Sequence, residues 1–233
     1  RLSPRQAAQL NAASAEVSAK IGDIDAALRS LASAVKSPSS DERVFGLYVQ
    51  LLIDHRTPAE CWSALQALKD RGSPSVAAGI GYLQVLRKSF DEAEMTLQVV
   101  IESGESLAQY PRALGLYALA EVNTHFLKGF IPGDSTDELA EWVTLMELAE
   151  QSYLRVARTG QAKWGAAALN RLSGLSLFTS EKIQTFKPPS ELSSSNKQRF
   201  AQGFKQRSII LKKQQAQSLK ACQELGLARG LFP

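Results

Sequence analysis

The sequence predicts an all-α fold of helix–turn–helix units stacked as a solenoid and closed by a long basic helix. Three observations carry this reading. First, one phrase recurs: a turn, then an anchor residue with apolar residues four and seven positions later. The anchors are Ala27, Cys61 and Ala93, separated by 34 and then 32 residues, and a spacing near 34 is the period of a two-helix repeat. Second, an amphipathic helix precedes each phrase. Third, breaker clusters follow each phrase, at 37–40, 71–75 and 102–106.

The elements follow in order. The first unit pairs 4–20, where Pro4 suits a first helical turn, with 21–35, anchored by Ala27, Leu31 and Ala34. The second pairs 42–55 with 56–68, anchored by Cys61, Leu65 and Leu68. The third pairs 75–88, whose Gly79 and Gly81 allow close helix approach, with 87–101, anchored by Ala93, Leu97 and Val100. Ser89 is placed to cap that last helix, and Asp91 and Glu92 suit its positive end. A fourth, longer unit joins 110–129 to 137–160 through 130–136, with Asp134 or Ser135 as cap and Ala149, Tyr153 and Val156 as anchors. A helix at 162–183 comes next, and then a loop rich in proline and serine at 187–195. A final helix at 197–226 ends at Gly226. The expected organisation is three repeat units over 1–107, longer helix pairs over 108–186, the loop, and a basic helix with its tail over 196–233.

Composition sets the outer bounds. The chain has 233 residues, 44% apolar and 21% charged, an ordinary globular profile. It has no apolar run of 18 residues, so no segment is read as membrane-spanning. It starts at Arg1 without a methionine, which leaves room for a removed leader or upstream domain. Cys61 and Cys222 are too few for a disulfide scaffold and read as two separate buried thiols, a mutual disulfide being the lesser alternative. Charge is uneven. Residues 182–233 carry ten Lys or Arg against Glu191 and Glu224, a net of +8, whereas residues 1–181 carry a net of −4.

Little in the chain points to chemistry. His55 and His125 stand on different predicted helices without metal-ligand spacing, and no G-x-S-x-G, P-loop or G-x-G-x-x-G is present. Acidic pairs such as Asp91–Glu92 and Asp137–Glu138 are helix starts. No catalytic residue, metal ligand or cofactor is therefore expected, and the expected function is non-catalytic. On the basic helix, Phe200, Phe204, Leu211, Leu219 and Cys222 recur at steps of four, seven, eight and three, so one side packs. The lysines and arginines take the rest. They form a solvated cap or a site for an acidic protein or an anionic membrane face, with Lys205, Arg207, Lys212 and Lys213 as the candidate basic face. Nucleic acid is a weaker expectation, since no recognition motif accompanies the charge.

A family resemblance adds to this. Gly22–Asp23, Ala27 and Pro38 in the first unit, and Ile80–Gly81, Phe90, Ala93 and Leu97 in the third, resemble the signature of tetratricopeptide (TPR) repeats. Leu114–Gly115 matches that family's Leu–Gly position in the fourth unit. The aromatic that opens the first helix of that family's repeat is missing from the first three units, and related helical repeats share the other features. Residues 110–232 resemble the C-terminal part of TPR proteins of bacterial cell envelopes, some associated with gliding motility. The matching residues are Trp164, Ala166–Leu169 and Arg171, then Pro188–Pro189, then Ala216, Leu219, Cys222 and Glu224–Gly226. The resemblance implies a right-handed TPR-like α-solenoid. It also implies a protein–protein interaction scaffold or adaptor in an envelope or motility-type assembly, with a periplasmic or envelope location and the cytoplasm as alternative. The first helix of each TPR unit faces a concave groove for a protein or peptide, which makes Tyr82, Gln84, Tyr117 and Asn123 the groove candidates. The alternatives are the regulatory or interaction part of a larger enzyme, or a nucleic-acid binder working through the basic end.

Overall fold

A computed structural model describes residues 3–228. Among them the secondary structure is helical, with no strand. The α-helices are α1 (Pro4–Lys20), α2 (Ile24–Ala34), α3 (Glu42–His55), α4 (Pro58–Gln66), α5 (Pro74–Leu86), α6 (Phe90–Ser103), α7 (Gln109–Gly129), α8 (Thr136–Arg158), α9 (Ala162–Lys182) and α10 (Ser194–Ala228). The chain divides into two compact units, Arg1–Ala118 and Leu119–Pro233, and the boundary falls within α7.

Helix starts in both units are built by local side chains. Ser3 and Thr57 each form a capping box, with Gln6 and Glu60 respectively, ahead of a proline at the first helical position. Ser135 accepts from the Glu138 amide at the start of α8. Two of the three turns that open the recurring phrase share one geometry. After α1, the amides of Gly22 and Asp23 bond back to Ala19 O and Ser18 O; after α5, those of Lys88 and Ser89 bond back to Val85 O and Gln84 O. Both are Schellman closures, which need a left-handed residue at their centre. Gly22 supplies it at φ 84°, and Lys88 at φ 63°. Asp23 then caps α2 through the Ala26 amide, whereas Ser89, at the equivalent place, makes no side-chain cap bond.

In the first unit α1 packs on α2, α2 on α3, α3 and α4 on α5, and α5 on α6. Every anchor of the first three phrases is buried, with Ala27, Leu31, Leu65, Ala93 and Leu97 fully so. The α5 glycines work as expected. A Cβ at Gly79 would come within 2.5 Å of Leu65 on α4, and one at Gly81 within 2.6 Å of Leu97 on α6. Polar bridges tie successive helix pairs of this unit together: Glu42 at the start of α3 accepts from Ser75 N and Ser73 Oγ at the start of α5. Arg71 donates to the carbonyls of Lys36 and Ser37.

In the second unit α9 packs on both α8 and α10. Ala149, Tyr153, Val156 and Trp142 of α8 are buried. The buried face of α9 is rich in small hydroxyl residues, Ser173, Ser176, Thr179 and Ser180. Thr179 and Ser180 donate back to carbonyls of their own helix, which satisfies them without bulk. Ser208 of α10 donates to Ser180 O at 3.1 Å and accepts from Gln184 at 2.8 Å. Two expectations for α10 are corrected. Gly226 lies inside the helix and is buried rather than ending it, and Leu219 is 40% exposed while Ser218 is buried in its place.

Candidate functional site

The second unit holds an open groove of about 480 Å³ beside α10. Its far wall is the stretch after α9. The chain leaves α9 through a 3₁₀ turn, Ile183–Thr185, and becomes extended at Phe186. Pro188–Pro189 cannot continue a helix. Glu191 pins the following loop by accepting from the amide and hydroxyl of Thr136 at 2.9 and 2.6 Å. Those bonds from Thr136 hold its carboxyl below the ordinary carboxylate range.

Aromatic rings make the floor. Phe186 stands edge-on to the buried Trp142, with centroids 4.9 Å apart, and to Phe204 at 6.0 Å; Phe204 meets Phe200 at 4.2 Å. Edge-to-face contacts of this kind orient rings as well as bury them. The chain of four rings runs from the core at Trp142 to Phe200, which is half-exposed. The near wall is one face of α10. Ala201, Lys205, Ile209 and Lys212 follow at steps of four, four and three, and all four are exposed and line the groove. Ile209 is 62% exposed.

Lys205 and Lys212 are the charged side chains of this lining, and neither makes an ion pair among the described residues. The lining has no carboxylate, histidine or cysteine. Its hydroxyl, Ser208, is already bonded to Ser180 and Gln184. The arrangement suits an apolar body carrying negative charge, and it offers no carboxylate or imidazole as a proton carrier.

Of the basic-face candidates, Lys205 and Lys212 line this groove. Lys213 is exposed just outside it. Arg207 behaves differently. It lines a second cavity of about 430 Å³, on the side of Phe200 and Phe204 that faces Val143, Met146 and Glu147. There its Nη2 lies 3.6 Å from Glu150 Oε2. Glu150 is buried, and its Oε1 has no partner among the described residues. Burial pushes its carboxyl above the ordinary range; Arg207 pulls it back, Glu147 adds to the push, and Gln214 also pulls it back.

The candidates on α5 and α7 sit mostly inside the fold. Tyr82 is half-buried, while Gln84, Tyr117 and Asn123 are buried. Asn123 spends its amide on Ser152 Oγ at 2.8 Å. Tyr82, Gln84 and Tyr117 belong to the first unit and Asn123 to the second. Sequence reasoning missed Phe186, Pro188 and Ile209. The adjacent pair Ile209–Ile210 in an otherwise basic helix was the available signal, because two neighbouring positions on a helix point about 100° apart and one buried stripe does not hold both.

Elsewhere, both thiols are free and buried. Each lies near a carbonyl, Cys61 Sγ 3.2 Å from Leu52 O and Cys222 Sγ 3.2 Å from Ala166 O, and burial raises both pKa values. No cluster of three or more His, Cys, Asp or Glu among the described residues is placed to hold a metal, and no described helix is long and apolar enough to cross a membrane. Neither a protein-family model nor a curated protein sequence matches this chain.

Proposed function

We propose that this chain is a non-catalytic protein-interaction module, a scaffold or adaptor whose docking surface is the groove beside α10. The observation that supports it is an open, largely apolar groove bordered by two lysines that make no ion pair among the described residues. Exposed aromatic and aliphatic surface is unfavourable where it meets only water, and a partner surface buries it, while the solvated lysines at its edge are free to meet a partner's negative charge. The fold belongs with this reading as a TPR-like right-handed solenoid, with α10 as its long basic terminal helix. By the same resemblance, the setting is an envelope or motility-type assembly at the periplasmic side.

The test is association with a partner found by cross-linking the full chain. A discrete protein should be captured, and its association rate should fall between low and high salt, because exposed charges are screened beyond about 8–10 Å at physiological ionic strength. Replacing Lys205, Lys212 and Lys213 together with glutamine should lower that rate and flatten its salt dependence. Co-purified nucleic acid without a protein partner would overturn the proposal.

A further inference from the structure

We infer that the α10 groove receives an amphipathic helix of a partner protein that carries two acidic side chains seven residues apart on its apolar edge. The inference rests on the protein-interaction reading above and specifies its partner. Three observations lead to it.

The first is charge. The lining holds Lys205 and Lys212 and no acid, so an occupant brings the negative groups. The second is spacing. Seven residues along α10 place the two lysines about 10.5 Å apart on one face of the helix. A helix laid alongside α10 repeats its own face at seven residues and presents two acids at the same interval. A β-strand repeats one face about every 6.6 Å, or about 13 Å for the second repeat, so its register with the two lysines is poorer than that of a helix. The third is the apolar surface between the charges. Ile209 lies between the two lysines on the exposed edge, and Phe186, Phe200 and Phe204 form a floor. A partner helix with two or three apolar residues at steps of three and four would bury these groups, as helix-in-groove docking does. The groove is concave and bounded by Pro188 on its far side, a shape that a flat bilayer does not fill.

The experiment titrates fluorescent peptides with the full chain by anisotropy. The probe is a 16-residue helix-stapled peptide with leucines at steps of three and four and glutamates seven apart; the controls carry glutamine at those two positions, or a proline-rich extended backbone with acids three apart. The stapled glutamate peptide should bind saturably and lose about tenfold in affinity when its acids become glutamine, since each exposed ion pair contributes up to about fivefold. Lys205→Gln with Lys212→Gln should produce a similar loss, and Ile209→Ser should weaken binding by about tenfold through lost apolar contact. Lys213→Gln, outside the groove, should leave it within about twofold. All four substitutions are at exposed positions, and helicity by circular dichroism verifies that each variant folds. Equal affinity for glutamate and glutamine peptides, preference for the extended peptide, or binding only to vesicles containing phosphatidylglycerol would each overturn the inference. The two readings fail distinguishably: a cross-linked protein partner that binds the Lys205→Gln, Lys212→Gln variant as well as the parent chain sinks this inference and the α10 groove as docking surface while leaving a protein-interaction module in place, whereas co-purified nucleic acid without any protein partner sinks the module itself.

Discussion

Lys88 occupies a left-handed position at φ 63° where the equivalent turn of the first unit uses Gly22. A side chain with a Cβ is strained there by about 1–2 kcal/mol relative to glycine, and part of the relief on removing it is lost to the freer unfolded chain. Lys88→Gly should therefore stabilise the protein by about 0.5–1 kcal/mol in urea denaturation, and a loss of stability would mean that the lysine side chain has a role this turn does not show. Gly81 is the opposite case. A methyl there meets Leu97 at 2.6 Å, and overpacking of that kind costs about 1–3 kcal/mol against about 1 kcal/mol gained in helix propensity. Gly81→Ala should destabilise by up to about 2 kcal/mol, whereas Gly203→Ala on α10, with nothing within 4 Å of the added atom, should stabilise by about 0.5–1 kcal/mol. Glu150 gives a pH prediction. Its folded carboxyl is raised by burial above the ordinary value of 4.5. Between that value and the folded one, the native state binds more protons than the unfolded chain, so stability falls as pH rises through this window. Glu150→Gln should remove the fall; denaturation curves at a series of pH values from acidic to neutral read it, and a difference from the parent that stays constant across pH would refute the assignment.

Helix by helix, the reading of the sequence came close because each element carries both its period and its stops. Residues 4–20 and 42–55 are helices over those same spans, α1 and α3, and the others differ by a few residues at their ends. The buried anchors at Ala27, Leu65, Leu97 and Tyr153 follow from four- and seven-residue steps, which return to one face of a helix. The same arithmetic explains why α10 departs from its apolar pattern. Eight residues from Leu211 turn about 80° away from its face, and seven turn only about 20°. Ser218 is thus buried and Leu219 exposed, although hydropathy alone favours the reverse. Leu211→Ala, at a fully buried position, should cost about 2–5 kcal/mol, and Leu219→Gln less than about 1 kcal/mol, by the shift in urea midpoint. The groove was out of reach for another reason. It needs the 183–188 stretch beside α10, and no periodic pattern within either segment records their pairing. The TPR resemblance puts Gln84, Tyr117 and Asn123 on a groove-facing side. However, α5 is apolar nearly all round and buried over most of its length, and α7 is buried at 113–120 and 122–124, so polar residues on both helices are enclosed with their neighbours.

At the scale of the molecule, each of the two units has its own buried cysteine. Cys61 lies in Arg1–Ala118 and Cys222 in Leu119–Pro233, both as free thiols. Denatured without reductant, the chain should therefore yield two titratable thiols and no intramolecular disulfide. This placement makes the natural sequence a two-channel recorder of its own breathing. A thiol-reactive probe reaches Cys61 only when α4 lifts, and Cys222 only when α10 leaves α9, as their bonds to Leu52 O and Ala166 O imply. Labelling followed by peptide mapping would then separate the opening rates of the two units within one unmodified chain. A helix seated beside α10 should slow the labelling of Cys222 and leave that of Cys61 at its own rate, so occupancy of the groove becomes measurable as a difference between two clocks in the same molecule.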